Sequence, residues 1–308
     1  MGPASGPRRR PVAIVGPTGV GKTALAVDLC LAAGGELISV DSRQLYRGVE
    51  IGSNAPTAAE LRGVPAHLVG VLEVTEKVDA RRFVVLAEAA LAAVEQRAAL
   101  PVLTAGTGLY LRALLDGYDL GGLPADPALR AELEAAAAGD LPALAERLRG
   151  ADPQARVEPT NPVRVVRALE LAILRRRGLT PETARRPPRP AVKVGLTAPR
   201  EVRWAWIEAR ADAMLARGLV AEVERLLQAG VDPRAQALRG IGLAEVAGHL
   251  RGEISLEEAR DRMVVNTRAY AKRQLTWFRA DPEVRWFDAG AEERSDIVEV
   301  ILEMLSCA

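Results

Sequence analysis

The segment Gly16-Pro17-Thr18-Gly19-Val20-Gly21-Lys22-Thr23 satisfies the pattern G-x-x-x-x-G-K-[ST] at every fixed position, and the apolar run Val12-Ala13-Ile14-Val15 leads directly into it. A loop of this kind leaves a buried strand and opens a helix, and Ala24-Leu25-Ala26-Val27-Asp28-Leu29 supplies the start of that helix. Its backbone N–H groups converge on an anion, and the helix N-terminus adds a partial positive charge. Lys22 brings a mobile cation and Thr23 a hydroxyl for Mg²⁺. A glycine-rich turn with no ligand is the bland alternative, but the flanking strand and helix argue against it. The segment is read as a site for a polyphosphate or diphosphate.

A chain of 308 residues holds one large domain or two modest ones and buries a core without disulfides. Cys30 and Cys307 do not cluster, which suggests a reducing cytoplasm, and His67 and His249 alone complete no zinc-type ligand set. Met1 to Arg10 carries Gly, Pro and three consecutive arginines without an apolar core, so a disordered lead-in is expected over 1–10 rather than a signal peptide. No stretch approaches about 18 uninterrupted apolar residues, so no membrane span is expected. The net charge of +1 decides nothing, but its distribution is uneven. From Thr160 to Pro190 there are eight arginines (164, 167, 175, 176, 177, 185, 186, 189) against Glu170 and Glu182. Arg268, Lys272, Arg273 and Arg279 form a second group. Such blocks attract phosphates, and they also decorate solvated helix faces; charge alone leaves both readings open.

Strand and helix patterns alternate from 11 to about 112, with strands at 11–15, 36–41, 67–72 and 101–105 and helices near 22–33, 57–63, 80–98 and 108–115. This is the pattern of a parallel sheet flanked by helices. Residues 116–190 are Ala-, Leu- and Arg-rich, with helices near 126–138, 140–148 and 161–177 and a Pro-rich connector from Gly178 to Pro190. A strand at 191–196, helices near 200–217 and 219–229, a long helix from a Ser255/Glu258 capping box to about Arg279, a strand at 284–287 and a helix at 292–305 close the chain. The expected fold is α/β: a P-loop NTPase-like parallel sheet from 11–115 and 191–308, interrupted by an all-helical lobe at 116–190.

Asp41 ends the strand Glu36-Leu37-Ile38-Ser39-Val40-Asp41, and ligands of open parallel sheets bind at the carboxyl ends of the strands. The P-loop and Asp41 should therefore open into one crevice. A Walker-B-type metal ligand or a helix N-cap would also place a carboxylate there. Ser42, Arg43 and Gln44 follow at once, and Arg and Gln side chains suit a polar, planar ligand. The strand Leu100 to Thr104 runs into Ala105-Gly106-Thr107-Gly108, a third strand end facing the same crevice.

The order GPTGVGKT, DSRQLYRG, AGTGLYLRALL, NPVRVVRALE, LRGIG and TRAYAKRQLTWFR resembles the tRNA dimethylallyltransferase (isopentenyltransferase) family, from about Val12 to Trp286. The resemblance implies transfer of a dimethylallyl group from its diphosphate to N6 of the adenosine 3′-adjacent to the anticodon. It implies a P-loop, Gly16 to Thr23, holding that diphosphate rather than ATP. Catalytic roles fall on Asp41 as general base, on Thr23 as the Mg²⁺ ligand and on Arg210 at the diphosphate. Asp41, Ser42, Arg43, Gln44, Thr107, Arg130, the stretch Val163-Arg164-Val165-Val166-Arg167 and the turn Arg239-Gly240-Ile241-Gly242 match positions that touch tRNA. Arg268, Lys272 and Arg279 share a face of the long helix that could follow a phosphate backbone. Mg²⁺ is the implied cofactor, the tRNA anticodon stem-loop and dimethylallyl diphosphate the implied partners, and a cytoplasmic monomer the implied state.

The chain departs from the family at Val163, where Gln is usual, at Ala55, where the IGTAKP-like stretch loses its lysine, at Leu243, which replaces a tyrosine, and at Trp206, which replaces an arginine. The rival readings are a P-loop small-molecule kinase and a nucleotide-dependent RNA-binding switch. A kinase needs no Arg-rich lobe or KRQ-x-TWFR helix, and the absence of an N-K-x-D guanine-reading motif weakens a GTPase version of the switch.

Overall fold

The computed structural model describes residues 9–117, 123, 126–179 and 187–306. Among these, strands β1 (Val12–Val15), β2 (Gly35–Val40), β3 (Ala66–His67), β4 (Leu100–Ala105), β5 (Val192–Thr197) and β6 (Arg285–Asp288) form one parallel sheet in the order β3-β2-β4-β1-β5-β6. Helices cover β1 and β4 so completely that every residue of both strands is buried. That burial is why the two segments read as continuous apolar runs instead of alternating ones.

The helices, in chain order, are α1 (Lys22–Ala33), α2 (Ala58–Leu61), α3 (Ala80–Gln96), α4 (Gly108–Leu115), α5 (Pro127–Gly139), α6 (Leu141–Ala151), α7 (Pro162–Arg176), α8 (Arg200–Ala216), α9 (Leu219–Gln228), α10 (Leu243–Leu250), α11 (Leu256–Arg279) and α12 (Arg294–Ser306). Leu25, Leu29, Ile14, Val194, Ile297 and Ile301 meet in one apolar core between α1, α12 and the sheet. On α3 and α4 the rings of Phe83 and Tyr110 stack at 4.4 Å. The long helix α11 packs against α8, α10 and α4.

The described residues up to 117 and from 187 onward make one compact unit, and those from 123 to 179 make a second. The second unit is helical. Its helices start where capping chemistry dictates: Asp126 before Pro127, Asp140 before Leu141 and Asn161 before Pro162 each accept a backbone N–H of the first turn. Its core is the cluster around Leu133, Leu144, Leu148, Val165 and Leu169. Buried against it, Glu170 takes the Asp126 N–H at 2.9 Å, the Arg167 guanidinium at 2.7 Å and the Arg130 guanidinium.

Several sequence-based expectations need correction. The strand expected at 67–72 is a two-residue edge strand, because Leu68 and Gly70 take φ values of 62° and 60°, outside extended backbone. Asp41 lies just beyond β2 rather than inside it. The turn expected at Arg239–Gly242 is preceded by a 3₁₀ turn, Ala237–Arg239, and followed by helix α10, whose apolar spacing Gly248 interrupts. The capping box is half made: Ser255 accepts the Glu258 N–H, while the Glu258 carboxylate takes Arg262 instead. Arg189, counted with the helical lobe's basic block, belongs to the sheet unit, where it bonds the Leu115 carbonyl and the carboxylates of Glu88 and Glu95. Arg9 and Arg10 are no loose lead-in; they donate to the Ala33 and Ala191 carbonyls. Residues 1–8, Cys307, Arg185 and Arg186 lie outside the described residues.

Glu170→Ala removes one carboxylate that two half-buried arginines and a backbone N–H share, and should destabilise the helical unit by about 2–4 kcal/mol. Hydrogen exchange should show faster opening of α5 and α7, with Glu170→Gln giving a smaller effect because its amide oxygen still accepts the Asp126 N–H.

Candidate active site

Register fixes the site. β4 pairs with β1 and β2 so that Val15, Ala105 and Val40 stand at one level. The next residues, Gly16, Gly106 and Asp41, therefore leave the sheet side by side, at the edge where open parallel sheets bind ligands. Above them lies a crevice of about 700 Å³ in the sheet unit, lined by Thr18 to Ala24, Asp41 to Gln44, Gly52 to Asn54, Glu60, Thr104, Gly106 and Thr107. Trp206, Arg210 and Met214 of α8, Arg239, Gly240 and Ile241, and Thr267, Tyr270 and Arg273 of α11 complete the wall.

Gly16 and Pro17 are buried beneath the crevice, and the loop from Thr18 onward faces it. Gly16 has φ 142°, and a Cβ there would strike the Leu196 carbonyl oxygen, so the loop's tight exit from β1 requires glycine. Lys22 donates to the carbonyls of Gly16 at 3.0 Å and Pro17 at 2.8 Å. Arg210 reaches across from α8 to the Thr18 hydroxyl at 3.0 Å. Lys22 is accessible at the crevice floor yet enclosed by protein on most sides. Burial and the Arg210 charge together pull its pKa down to about 8, against a smaller upward pull from Asp41. Burial also lowers the Arg210 pKa, with Asp41 pulling the other way. Two cations forced this close in a low-dielectric floor form a binding site for an anion.

Asp41 faces the same space. Its Oδ1 accepts the Arg43 N–H at 2.8 Å, and its Oδ2 lies where a Cβ on Gly106 would come within 2.5 Å. Among the described residues it makes no ion pair. The N-cap reading loses ground: the residues after it form a turn, and no helix starts there. Ser42 N–H bonds the Thr107 hydroxyl at 3.3 Å, and the Arg43 guanidinium bonds the Gln236 carbonyl. Gln44 is held at both ends, accepting from Ser39 at 2.7 Å and donating to the Asn54 carbonyl at 2.9 Å, so it braces the wall.

The remaining expected contact residues divide. Arg239 is exposed at the rim, Gly240 and Ile241 line the crevice, and Gly242 is buried at the start of α10. In the helical unit Val163 and Arg164 are exposed, whereas Val165 and Val166 are buried in its core, 0% and 4% exposed, and are not available at the surface. Arg130 and Arg167 are half-buried on Glu170, so part of their charge is spent inside that unit. Arg268 does not share an open face with Lys272: it packs 4.6 Å from the Trp204 ring and pairs with Glu208. Sequence reasoning gave no role to Gln274, whose amide bonds the Thr18 N–H and the Gly106 carbonyl, although it stands in the KRQ-x-TWFR motif. It also missed Ser53, whose hydroxyl is buried with no partner among the described residues while the residue lines the crevice.

For a metal, the crevice offers the Thr23 hydroxyl and the carboxylates of Asp41 and Glu60. Among the described residues no group of three or more His, Cys, Asp or Glu side chains could cage an ion. One hydroxyl beside an anion-binding loop fits Mg²⁺, which keeps several waters and shares phosphate oxygens with its protein ligands. No helix among the described residues is long and apolar enough to cross a membrane.

Inorganic diphosphate should bind best while Lys22 is charged, below about pH 8, and weaken as the pH rises past that value. A bound anion favours the charged ammonium, so the decline sets in somewhat above the free protein's pKa. Calorimetry should show wild-type affinity falling relative to that of Lys22→Arg between about pH 7.5 and 9.5, because a guanidinium keeps its proton there and the ratio cancels the ligand's own titration.

An IPP transferase family model matches residues 44–281, and an isopentenyl transferase model matches residues 10–69. The chain is 44% identical to the tRNA dimethylallyltransferase of Thermomicrobium roseum over 286 residues, covering 91% of this chain and 87% of the relative. It superposes on the full-length tRNA isopentenylpyrophosphate transferase of Bacillus halodurans with TM-score 0.73 at 38% identity, covering 97% of each chain. A eukaryotic dimethylallyltransferase acting on tRNA shares the fold, with TM-score 0.74 at 24% identity over 91% of this chain and 74% of that one. With its phosphate loop, its facing carboxylate and these matches over nearly its whole length, the chain belongs to the tRNA dimethylallyltransferase family of IPP transferases.

Proposed function

We propose that this protein transfers a dimethylallyl group from dimethylallyl diphosphate to N6 of the adenosine 3′-adjacent to the anticodon of tRNA, releasing diphosphate. The observation that carries this reading is the placement of a carboxylate without an ion pair, Asp41, in the same crevice as the anion loop and its two cations. A phosphoryl-transfer enzyme would need the nucleophile next to a terminal phosphate. Here the carboxylate suits removal of a proton from an amine that attacks carbon.

In the reaction the N6 lone pair attacks the allylic carbon, and the bond from that carbon to the diphosphate oxygen breaks. The leaving diphosphate carries off the bonding pair, and the N6 proton passes to Asp41. A carboxylate is a weak base against a resting adenine amine, but the proton grows acidic as the nitrogen acquires positive character, so a positioned carboxylate suffices. Lys22, Arg210 and the loop N–H groups are placed to stabilise the charge that develops on the leaving oxygen. Mg²⁺, held by the Thr23 hydroxyl and phosphate oxygens, would supply further neutralisation of that charge. Arg43 and Gln44 are held by protein partners, which leaves them to shape the wall that orients the base. Thr107, the exposed Arg164 and Val163, and the Arg239–Ile241 turn are the tRNA contacts this reading keeps; Arg130 and Arg167 add charge through what Glu170 leaves free.

The test uses labelled dimethylallyl diphosphate, Mg²⁺ and unmodified tRNA. Asp41→Asn keeps an oxygen for the Arg43 N–H but cannot take a proton. It should cut kcat by about 10²–10⁴-fold while tRNA still binds. Transfer of phosphate from ATP to a small molecule, with no label reaching tRNA, would support the kinase reading instead.

A further inference from the structure

A phosphate loop holds its ligand with backbone N–H groups, yet one N–H of this loop is already taken. Thr18 N–H donates to Gln274 Oε1 at 2.8 Å, and Gln274 comes from α11, 256 residues away in sequence. The other end of the same carboxamide donates to the Gly106 carbonyl at 2.8 Å. Tyr270, one turn earlier on α11, donates its hydroxyl to that carbonyl at 3.0 Å, so both lone pairs of the oxygen are engaged. Gln274 is 5% exposed, so neither bond competes with bulk water. The chemistry also fixes the amide's orientation: an N–H faces one end and a carbonyl the other, so only one assignment of its oxygen and nitrogen satisfies both.

The two groups joined in this way are the two halves of the site. Thr18 belongs to the anion loop, and its hydroxyl receives Arg210, so the residue whose N–H Gln274 pins is also the one that holds the Arg210 guanidinium. Gly106 is the floor against which Asp41 Oδ2 rests. Its N–H and that of Thr107 both bond the Val40 carbonyl immediately before Asp41. A displacement of Gly106 is therefore a displacement of the base, and a displacement of Thr18 is a displacement of the diphosphate and Arg210.

We propose that Gln274 is a positioning residue of the donor site, whose carboxamide sets the spacing between the anion loop and the Asp41–Gly106 wall. This rests on reading the loop as a diphosphate site. Because the strap comes from α11, whose neighbouring Arg273 lines the crevice, this helix carries a crevice-wall cation and the brace of the diphosphate loop within two adjacent residues.

Gln274→Leu and Gln274→Glu, with wild type, would be titrated with inorganic diphosphate by calorimetry and assayed for dimethylallyl transfer. Gln274→Leu should bind diphosphate about tenfold more weakly and lose kcat, with tRNA affinity within about twofold of wild type. Gln274→Glu offers an acceptor to Thr18 but presents a carboxylate to the Gly106 carbonyl until it is protonated, when it regains both bonds. Its diphosphate affinity relative to wild type should therefore climb as pH falls from about 8 to about 5.5, and the ratio cancels the ligand's own titration. Wild-type diphosphate affinity in the Leu variant, or a flat Glu-to-wild-type ratio, would overturn the proposal. If thermal melts show the Leu variant unfolded, the Glu ratio alone decides. Should wild type bind diphosphate yet transfer no dimethylallyl group, the proposed reaction fails while the binding measurements still judge Gln274.

Discussion

The hydrogen-bonded register of β4 between β1 and β2 is the constraint on which the site depends. Slipping that pairing by one residue would turn every side chain of β4 to the opposite face and move Gly106 off the level shared by Gly16 and Asp41. Register is held here because β1, β2 and β4 are buried almost throughout, so a slipped arrangement would have to repack close-packed side chains on both covered faces at once. The loop, the base and the glycine floor are thereby set by the interior of the sheet, and the surface segments have only to complete the wall.

The crevice itself is not built for stability. Lys22 has a folded-state pKa near 8 against an ordinary 10.5, so its charged form is disfavoured by folding. That destabilisation is fully present below about pH 8 and fades as the pH climbs toward the unfolded value. The same strain makes the site receptive, since an anion relieves what burial and Arg210 impose. Elsewhere a buried lysine is paired. Lys193 is 7% exposed but reaches Asp116, Asp281 and Glu283 at about 3 Å, and these carboxylates raise its pKa above the usual lysine value despite burial. The contrast between a compensated lysine on β5 and an uncompensated one at the loop separates scaffold from site.

The helical unit spends cations internally in a similar way. Its arginine block suggests a uniformly cationic surface, but Arg130 and Arg167 converge on Glu170, Arg177 lies 3.6 Å from Asp126, and Arg176 bonds the Gly150 and Ala151 carbonyls. What stays open at the start of α7 is Arg164 beside Val163, 73% exposed. Arg164, between the capped helix start and two buried valines, is exposed and makes no ion pair among the described residues, so its charge is available to a phosphate backbone.

The sequence by itself determined the phosphate loop, the parallel α/β plan, the helical insertion and the neighbourhood of Asp41, because each depends on short-range pattern: buried apolar runs, N-cap residues and a glycine-rich turn between strand and helix. It left unclear where the insertion's flank ends, since Arg189 is assigned by partners on α3 that are distant along the chain. It misjudged β3 because Leu68, a residue type that rarely leaves the negative-φ regions, takes φ 62° there. It gave Val165 and Val166 surface roles that burial denies them, and it did not show that the Gln44 amide is tied to Ser39 and Asn54. Only the tertiary structure decided which polar groups face substrate and which brace the wall, because a hydrogen bond such as that from Thr18 to Gln274 joins residues 256 apart and no local pattern records it.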